Sequence, residues 1–198
     1  MSLAEVLRRD LANVALSARF FEIAPLYAEF LLRWNKTHNI TSAANESQIA
    51  RHIALSVYPL KFLPEFENCL DIGSGAGFPA AFLAIACEKA KFYLCEPIAK
   101  KWAFLAAAIA EFKLANAFVL PFRVENLREN ANFPQKFDLV TSRAVGNAKE
   151  IYNLASGYMK SNTNLLLYKG EKTAEEADTI DAEKINAPFA TYLLKRGA

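Results

Sequence analysis

The residues best suited to chemistry form a glycine-rich loop at positions 70–79. Its three glycines, Gly73, Gly75 and Gly77, occupy alternate positions. Because glycine has no side chain, such a loop can turn tightly and bring its backbone close to a ligand. A helix following the loop would add free N–H groups and a partial positive charge. Open parallel sheets bind ligands at the carboxyl ends of their strands, where a loop between a strand and a helix lies, so the loop predicts a ligand site. The alternative is an ordinary strand-to-helix turn.

The spacing around these glycines narrows the choice of ligand. A phosphate-binding P-loop ends in Gly-Lys-Ser/Thr, which this loop lacks, so a nucleoside triphosphate is disfavoured. A dinucleotide fingerprint needs a glycine three positions after Gly75, where the chain has Phe78, so NAD is disfavoured without being excluded. S-adenosylmethionine fits best, with Asp71 before the loop and an acid ending the next strand. That acid, Glu96, lies 23 positions after Gly73, close to the roughly 20 typical of a carboxylate that accepts ribose hydroxyls. Its alternative role is to cap the following helix.

The first 65 residues are predicted to be helical and to form a cap in front of the glycine loop. Apolar residues recur there at the three- and four-residue spacing typical of amphipathic helices. The two sets are Leu3, Val6, Leu7, Leu11, Val14 and Ala15, and Leu26, Tyr27, Phe30, Leu31 and Trp34. Pro25 fits the first turn of the second helix. A third helix is expected to begin near Glu46 and to end before Pro64.

From residue 68 onward, short apolar runs alternate with helical patterns. The predicted strands are residues 69–72, 92–95, 118–120, 137–141 and 165–168, and the predicted helices are residues 80–90, 99–114 and 149–158. This alternation predicts an α/β fold with a parallel sheet, helices on both faces and right-handed crossovers. We therefore divide the chain into a helical cap over residues 1–65 and an α/β domain over residues 66–198, together one compact unit.

Length and composition are those of an ordinary globular protein. The chain has 198 residues, of which 53% are hydrophobic and 22% charged, which excludes collagen-like, disordered and low-complexity chains. Three cysteines without a Cys-x-x-Cys spacing favour buried thiols in a reducing cytosol over disulfides or a zinc site. No apolar stretch approaches the roughly 20 residues that cross a bilayer, and charges near residue 8 argue against a signal peptide. We expect a cytoplasmic protein without a membrane span.

The charge distribution permits an anionic partner without requiring one. The net charge is +2, and residues 171–198 carry four basic and six acidic side chains, so the remainder holds an excess of four positive charges. No cluster of His, Cys, Asp and Glu predicts a metal site. His38 and His52 are expected to be structural.

Further motifs precede and follow the loop in a fixed order. They are Trp34-Asn35-Lys36-Thr37-His38-Asn39-Ile40-Thr41, Arg51-His52-Ile53, Phe78-Pro79, Glu96, Lys100-Lys101, Phe104-Leu105, Leu114 with Asn116, Arg123-Val124-Glu125, Phe137-Asp138, Ser142-Arg143-Ala144-Val145 and Lys169-Gly170. Each is weak alone, but in this order they are specific. From about Trp34 to Gly170 the chain resembles the bacterial small-subunit (16S) ribosomal RNA guanine-N7 methyltransferases, also called GidB or RsmG.

The resemblance implies a Rossmann-like S-adenosylmethionine-dependent methyltransferase sheet with an N-terminal helical cap. It also implies methylation of N7 of a guanine in 16S ribosomal RNA or in a small ribosomal subunit precursor. The expected cofactor contacts, which include the three loop glycines, are Gly73, Gly75, Gly77, Phe78, Glu96, Val124, Glu125 and Arg143. Arg143 is also the expected catalytic residue, and the residues expected to flank the RNA are Lys100, Lys101, Arg123 and Lys169.

The chain departs from the family pattern in two places. Where the family usually has His-Ile-Leu-Asp-Ser, residues 52–56 read His-Ile-Ala-Leu-Ser, so a carboxylate is missing. The C-terminal segment is short and acidic, and residues 189–196 only loosely match the family's final strand.

The chemistry expected of guanine N7 agrees with the residues present. N7 carries a free lone pair, so methyl transfer needs alignment of the reacting atoms and no general base. The chain has neither Asn/Asp-Pro-Pro-Tyr nor Pro-Cys, which disfavours methylation of amines or of pyrimidine carbon-5. Because A-form RNA hides N7 in a deep groove, the target must be unpaired or extruded. The alternatives are a methyltransferase for a small molecule or protein, a nucleotide-binding oxidoreductase, and a catalytically silent RNA-binding assembly factor.

Overall fold

The computed structural model describes residues 1–169 and 174–197. Its centre is a seven-stranded sheet with strand order β3-β2-β1-β4-β5-β7-β6. The strands are β1 (Asn68–Ile72), β2 (Lys91–Cys95), β3 (Ala117–Leu120), β4 (Phe137–Arg143), β5 (Met159–Lys169), β6 (Glu183–Asn186) and β7 (Thr191–Arg196). Strands β1 to β5 are parallel, whereas β7 runs antiparallel to β5 and β6 antiparallel to β7.

Helices cover both faces of this sheet. They are α1 (Leu3–Asp10), α2 (Ala18–His38), α3 (Glu46–Val57), α4 (Ala80–Ala86), α5 (Ala99–Glu111), α6 (Ala148–Ser156) and α7 (Ala174–Asp178), with 3-10 turns at Tyr58–Lys61 and Val124–Glu129. Side chains of α1 to α5 form a core on one face, and side chains of α6, α7 and the second 3-10 turn form a core on the other. Successive residues of β1 alternate between the two cores, as the two-residue period of a strand requires.

The helical cap is continuous with the core on its side of the sheet. Tyr27 of α2 is fully buried and packs against Phe82 of α4 and Phe104 of α5 at ring-centroid distances of 4.8 and 5.8 Å. Buried aromatic pairs of this kind stabilise a fold beyond the area that they bury. The cap helices therefore share one core with the sheet.

Side-chain caps explain where the cap helices begin. Ser2 and Glu5 form a capping box at the start of α1, and Asn45 accepts a hydrogen bond from Gln48 N at the start of α3. Ser17 accepts one from Phe20 N and starts α2. Each side chain satisfies an N–H group that a helix leaves without an internal acceptor.

Four sequence-based expectations about the elements were wrong. Pro25 lies inside α2 instead of in its first turn, because the helix already begins after Ser17. The helix predicted over residues 80–90 ends at Ala86, and the first helix ends at Asp10, before Val14. The sheet is mixed rather than wholly parallel, since β6 and β7 were not recognised as an antiparallel pair at its end.

The thiols are free, as predicted: Cys69 and Cys95 are buried and Cys87 is partly buried. Burial raises the pKa of the Cys87 thiol to about 11 and that of Cys95 to about 12, so both are protonated and unreactive at neutral pH. Within the described residues, no helix is both long enough and apolar enough to cross a membrane.

Candidate functional site

A cleft of about 530 Å³ lies at the carboxyl edge of β1, β2 and β4, where the sequence analysis expects the ligand. Its walls come from the glycine loop, the start of α5, the 3-10 turn after β3 and the residues that follow β4. The segment between α2 and α3 closes one side through Ile40, Thr41 and Ser42. We call this space the cleft.

Three hydrogen bonds fix the backbone of the glycine loop. Gly73 N and Ser74 N both donate to Cys95 O, at 2.9 and 3.1 Å, and the Tyr27 hydroxyl donates to Ala76 O at 3.1 Å. All three loop glycines have positive φ, with Gly75 at 56°. A Cβ on Gly75 would meet only Gly73 O, at an ordinary contact distance of 3.9 Å, whereas one on Gly77 would overlap the Tyr27 hydroxyl. The absence of a side chain at Gly75 therefore leaves room for a ligand next to the loop backbone. At Gly77 it makes room for Tyr27 of α2 to pack against the loop.

Glu96 joins the loop to the next helix. Its side chain is buried, and its two oxygens accept hydrogen bonds from Gly75 N at 2.8 Å and Ile98 N at 2.9 Å. Ile98 is the N-cap residue of α5, so Glu96 fixes the approach to that helix, although no side chain caps the N–H groups of its first turn. Each carboxylate oxygen can accept a further bond, which leaves capacity for the hydroxyl pair of a ribose.

Asp71 is a buried carboxyl directly beneath the loop. Its Oδ1 accepts a 2.6 Å hydrogen bond from the Thr141 hydroxyl, while Oδ2 is buried without a partner. Burial raises the pKa of Asp71 to about 6, against the lowering effect of its hydrogen bonds. At neutral pH the group is ionised and poorly compensated, which is an electrostatic setting suited to a cationic ligand.

Arg143, Phe78 and His52 line the cleft together, with the Phe78 ring next to the other two side chains. The Arg143 guanidinium lies 5.3 Å from the centre of the Phe78 ring, and its buried Nη1 has no partner. Phe78 stacks on Phe82 at 4.9 Å, and His52 meets its ring edge-on at 5.3 Å. Burial, with Arg143 and Arg51 nearby, lowers the pKa of His52 to about 4, so the imidazole is neutral at physiological pH.

The 3-10 turn after β3 also lines the cleft, through Val124 and Glu125 and the preceding Arg123. Its first backbone bond is from Asn126 N to Arg123 O, so the N–H groups of Val124 and Glu125 precede the turn's internal bonding. The Tyr158 hydroxyl fixes the turn by donating to Val124 O at 2.6 Å. These two N–H groups are free to donate hydrogen bonds to acceptors on a ligand.

The predicted RNA-contacting cations are only partly brought together. Lys101 and Arg123 line the cleft, and Lys100 lies on the exposed side of the first turn of α5. Lys169 lies in a neighbouring groove, where its Nζ pairs with Glu176 Oε2 at 2.8 Å. Within residues 1–169 and 174–197, no three His, Cys, Asp or Glu side chains are grouped to hold a metal.

The GidB family, described as rRNA small subunit methyltransferase G, matches residues 21–192 of the chain. The chain belongs to this family. It is 41% identical over 173 residues to a Ribosomal RNA small subunit methyltransferase G from Wolinella succinogenes, covering 86% of each chain. A protein of that name from Aliarcobacter butzleri is 34% identical over 188 residues, covering 93% of this chain and 94% of its own.

Solved structures share the fold of this GidB-family chain. A methyltransferase from Geobacter sulfurreducens aligns with a TM-score of 0.62 at 9% identity, covering 95% of this chain and 93% of its own. A precorrin-6y C5,15-methyltransferase from Geobacter metallireducens aligns with a TM-score of 0.56 at 14% identity, covering 78% and 88%. The resemblance and the Rossmann-like methyltransferase fold inferred from the sequence are therefore confirmed, and the GidB-family chain is a methyltransferase.

Two residues at or next to the candidate site were not predicted to belong to it from the sequence. His52, for which the sequence predicts a structural role, lines the cleft together with Arg143. Thr141, the hydrogen-bond partner of Asp71, could not be identified from the sequence, because nothing in the sequence of a strand shows that a hydroxyl is buried against a carboxylate. The order Arg51-His52-Ile53 was the available signal for His52, since it belongs to the family pattern.

Proposed function

We propose that this chain transfers a methyl group from S-adenosylmethionine to N7 of an unpaired guanine in small-subunit (16S) ribosomal RNA. The observation that carries the proposal is the cleft itself. A glycine loop with open space at Gly75 faces the buried carboxylate of Glu96, and unpaired charged atoms lie beside them.

The residues present fit the cofactor. The cleft's volume of about 530 Å³ is within the range of small-molecule sites. Glu96 would accept the ribose hydroxyls, and the free N–H groups of Val124 and Glu125 would bond to the adenine edge. Arg143 Nη1 would donate to the carboxylate of the methionine part, which would satisfy a buried donor that is costly to leave unpaired. Asp71 does not line the cleft, but its negative charge would favour the positive sulfonium through space.

The residues act mainly by alignment. When bound, S-adenosylmethionine supplies an electrophilic methyl group on a sulfonium. The loop and Glu96 would hold the adenosyl part in place, and Phe78 and His52, which also line the cleft, would help to orient the base toward the methyl group. Such positioning can supply about 7–11 kcal/mol of the barrier. No residue has to remove a proton, because N7 has none to lose.

The cations at the rim suit an RNA substrate. Lys101 and Arg123 line the cleft, and Lys100 is exposed beside them, so these side chains can approach phosphates on either side of an extruded guanine. The family's small-subunit rRNA substrate supports the same reading.

The proposal is tested by supplying labelled S-adenosylmethionine and small-subunit rRNA, naked or in subunits, from cells lacking the modification. We expect label in the RNA and strand scission at one guanine after borohydride–aniline treatment, which cleaves at N7-methylguanine. Label in the RNA without scission would refute the N7 position. Label only in a small molecule or protein, with no salt dependence, would refute the RNA substrate.

A further inference from the structure

A second groove of about 910 Å³ adjoins the cleft and shares Ser42, His52, Arg143 and Ala144 with it. Helix α3 forms one side, the ends of β4 and β5 form the floor, and the turn at residues 187–191 before β7 forms the other side. We call it the second groove. The two spaces therefore meet at a common border formed by these four residues.

The second groove differs from the cleft in charge. The cleft is lined by charges of both signs, with Glu96 and Glu125 beside Lys101, Arg123 and Arg143. The described residues that line the second groove include Arg51, Arg143 and Lys169 but neither Asp nor Glu. The second groove is thus the more favourable of the two for an anionic chain.

Of these cations, Arg51 is the one available to a new partner. Lys169 is already paired with Glu176, and Arg143 packs on Phe78 at the border with the cleft. Arg51 is exposed on α3, and it has no ion pair within the part of the chain that the structure describes. Its neighbour His52 is neutral, so the charge on this side of the groove comes from Arg51.

We propose that the second groove holds the RNA strand adjoining the target guanine, and that Arg51 binds a phosphate of that strand. The inference rests on the proposed function, because an extruded base in the cleft is covalently continuous with its flanking nucleotides. The border that the two spaces share places the second groove next to the target base, and the cationic lining matches the charge of the strand.

The test compares Arg51→Gln and Arg51→Lys with Arg19→Gln in the intact chain. Arg19 makes only an exposed ion pair with Glu88 and lines a separate pocket with Lys91 and Asn116, so its variant removes the same charge elsewhere. Each protein is assayed for S-adenosylmethionine affinity by calorimetry. KM for a naked rRNA fragment and for small subunits is measured at several salt concentrations.

We expect Arg51→Gln to raise KM for RNA about tenfold near 0.15 M salt. The slope of log affinity against log salt should fall by about 0.7–1, as for one lost phosphate contact. Arg51→Lys should retain most of the affinity, and S-adenosylmethionine binding should be unchanged in all three variants.

Three results would overturn the inference: an RNA KM and salt slope equal to those of Arg19→Gln, an effect on S-adenosylmethionine affinity instead, or an effect on small subunits alone. The last would mean that the groove contacts a ribosomal protein. Failure of the unmodified protein to bind the cofactor or methylate RNA would instead refute the proposed function, so the two failures are distinguishable.

Discussion

At the scale of single residues, the site is marked by unsatisfied polar atoms. Within the described residues, three buried side-chain atoms have no hydrogen-bond partner: Asp71 Oδ2, Arg143 Nη1 and His52 Nδ1. Each such atom costs about 1–3 kcal/mol unless a ligand completes its bonding. Arg143 and His52 line the cleft, where a ligand can complete their bonding, and Asp71 lies in β1 just before the glycine loop.

Asp71 allows this cost to be measured. Its pKa of about 6 in the folded protein exceeds the ordinary 3.8, so the folded state binds its proton more tightly than the unfolded state. Stability from this group is therefore full below about pH 4 and is lost as pH rises through 6. We expect Asp71→Asn, which keeps an acceptor for Thr141, to raise the free energy of unfolding at pH 7.5 by on the order of 2 kcal/mol. The gain should shrink to about a third of that value at pH 4.5, because the carboxyl is still partly ionised in the unfolded chain there, and should vanish only below about pH 4.

Urea unfolding at the two pH values checks this expectation, with Asp178→Asn, at an exposed carboxylate, as the control. The same Asp71→Asn variant should bind S-adenosylmethionine more weakly, since it loses the buried negative charge. A variant that is destabilised equally at both pH values would contradict the argument.

Glu96 can be tested for a role beyond holding the loop and the start of α5 in place. We expect Glu96→Ala to weaken S-adenosylmethionine binding by about 1–3 kcal/mol, because a buried ribose would lose its charged partner. Calorimetry measures the affinity, and thermal melting of the free protein reports separately on the lost bonds to Gly75 N and Ile98 N. If the melting temperature falls while the affinity is unchanged, Glu96 only holds the loop and the start of α5 in place and does not bind the cofactor.

At the scale of elements, two glycines of the loop have different roles: Gly75 leaves space for a ligand, and Gly77 leaves space for Tyr27 and Ala81 of the protein itself. We expect Gly75→Val to abolish cofactor binding, because its side chain would occupy open space that the ligand needs, in addition to straining a φ of 56°. Gly77→Ala should instead lower the melting temperature, because its Cβ would overlap the Tyr27 hydroxyl and Ala81. Calorimetry and thermal melting on both variants check this. Unchanged affinity in a folded Gly75→Val protein would refute the loop as the cofactor site.

Sequence patterns predicted the elements that follow local rules. The parallel strands and the start of α3 at Glu46 were located because apolar runs, glycines and caps act over a few residues. The start of α2 was missed because Pro25 looked like a first-turn residue although Ser17 provides the cap. The pair β6 and β7 was missed because antiparallel pairing at a sheet edge depends on contacts with β5.

The same division applies to the site. The loop and Glu96 could be predicted because their spacing along the chain is itself the signal. The burial of Asp71 against Thr141 could not, since 70 residues separate the two. Likewise, the place of His52 at the border of two grooves depends on how α3 packs on the sheet.

At the scale of the whole molecule, the cap and the sheet depend on one core. The buried cluster on the cap side runs from Leu7 in α1 to Leu194 in β7. The Tyr27 hydroxyl also ties α2 to the glycine loop through Ala76 O. A cap that unfolded alone would expose this core and release the loop, so we expect residues 1–65 and 66–198 to unfold as one cooperative unit.

The two tryptophans allow a direct test of this unit, because Trp34 lies in α2 and Trp102 in α5. Trp34→Phe leaves a fluorescent reporter in the sheet domain, and Trp102→Phe leaves one in the cap. We expect the two urea transitions to coincide with each other and with the circular dichroism of the same samples. Saturating S-adenosylmethionine should shift both equally, by about 2.7 kcal/mol at one hundred times its Kd. A cap reporter that unfolds at lower urea, or does not respond to the cofactor, would mean that the cap is a separate unit.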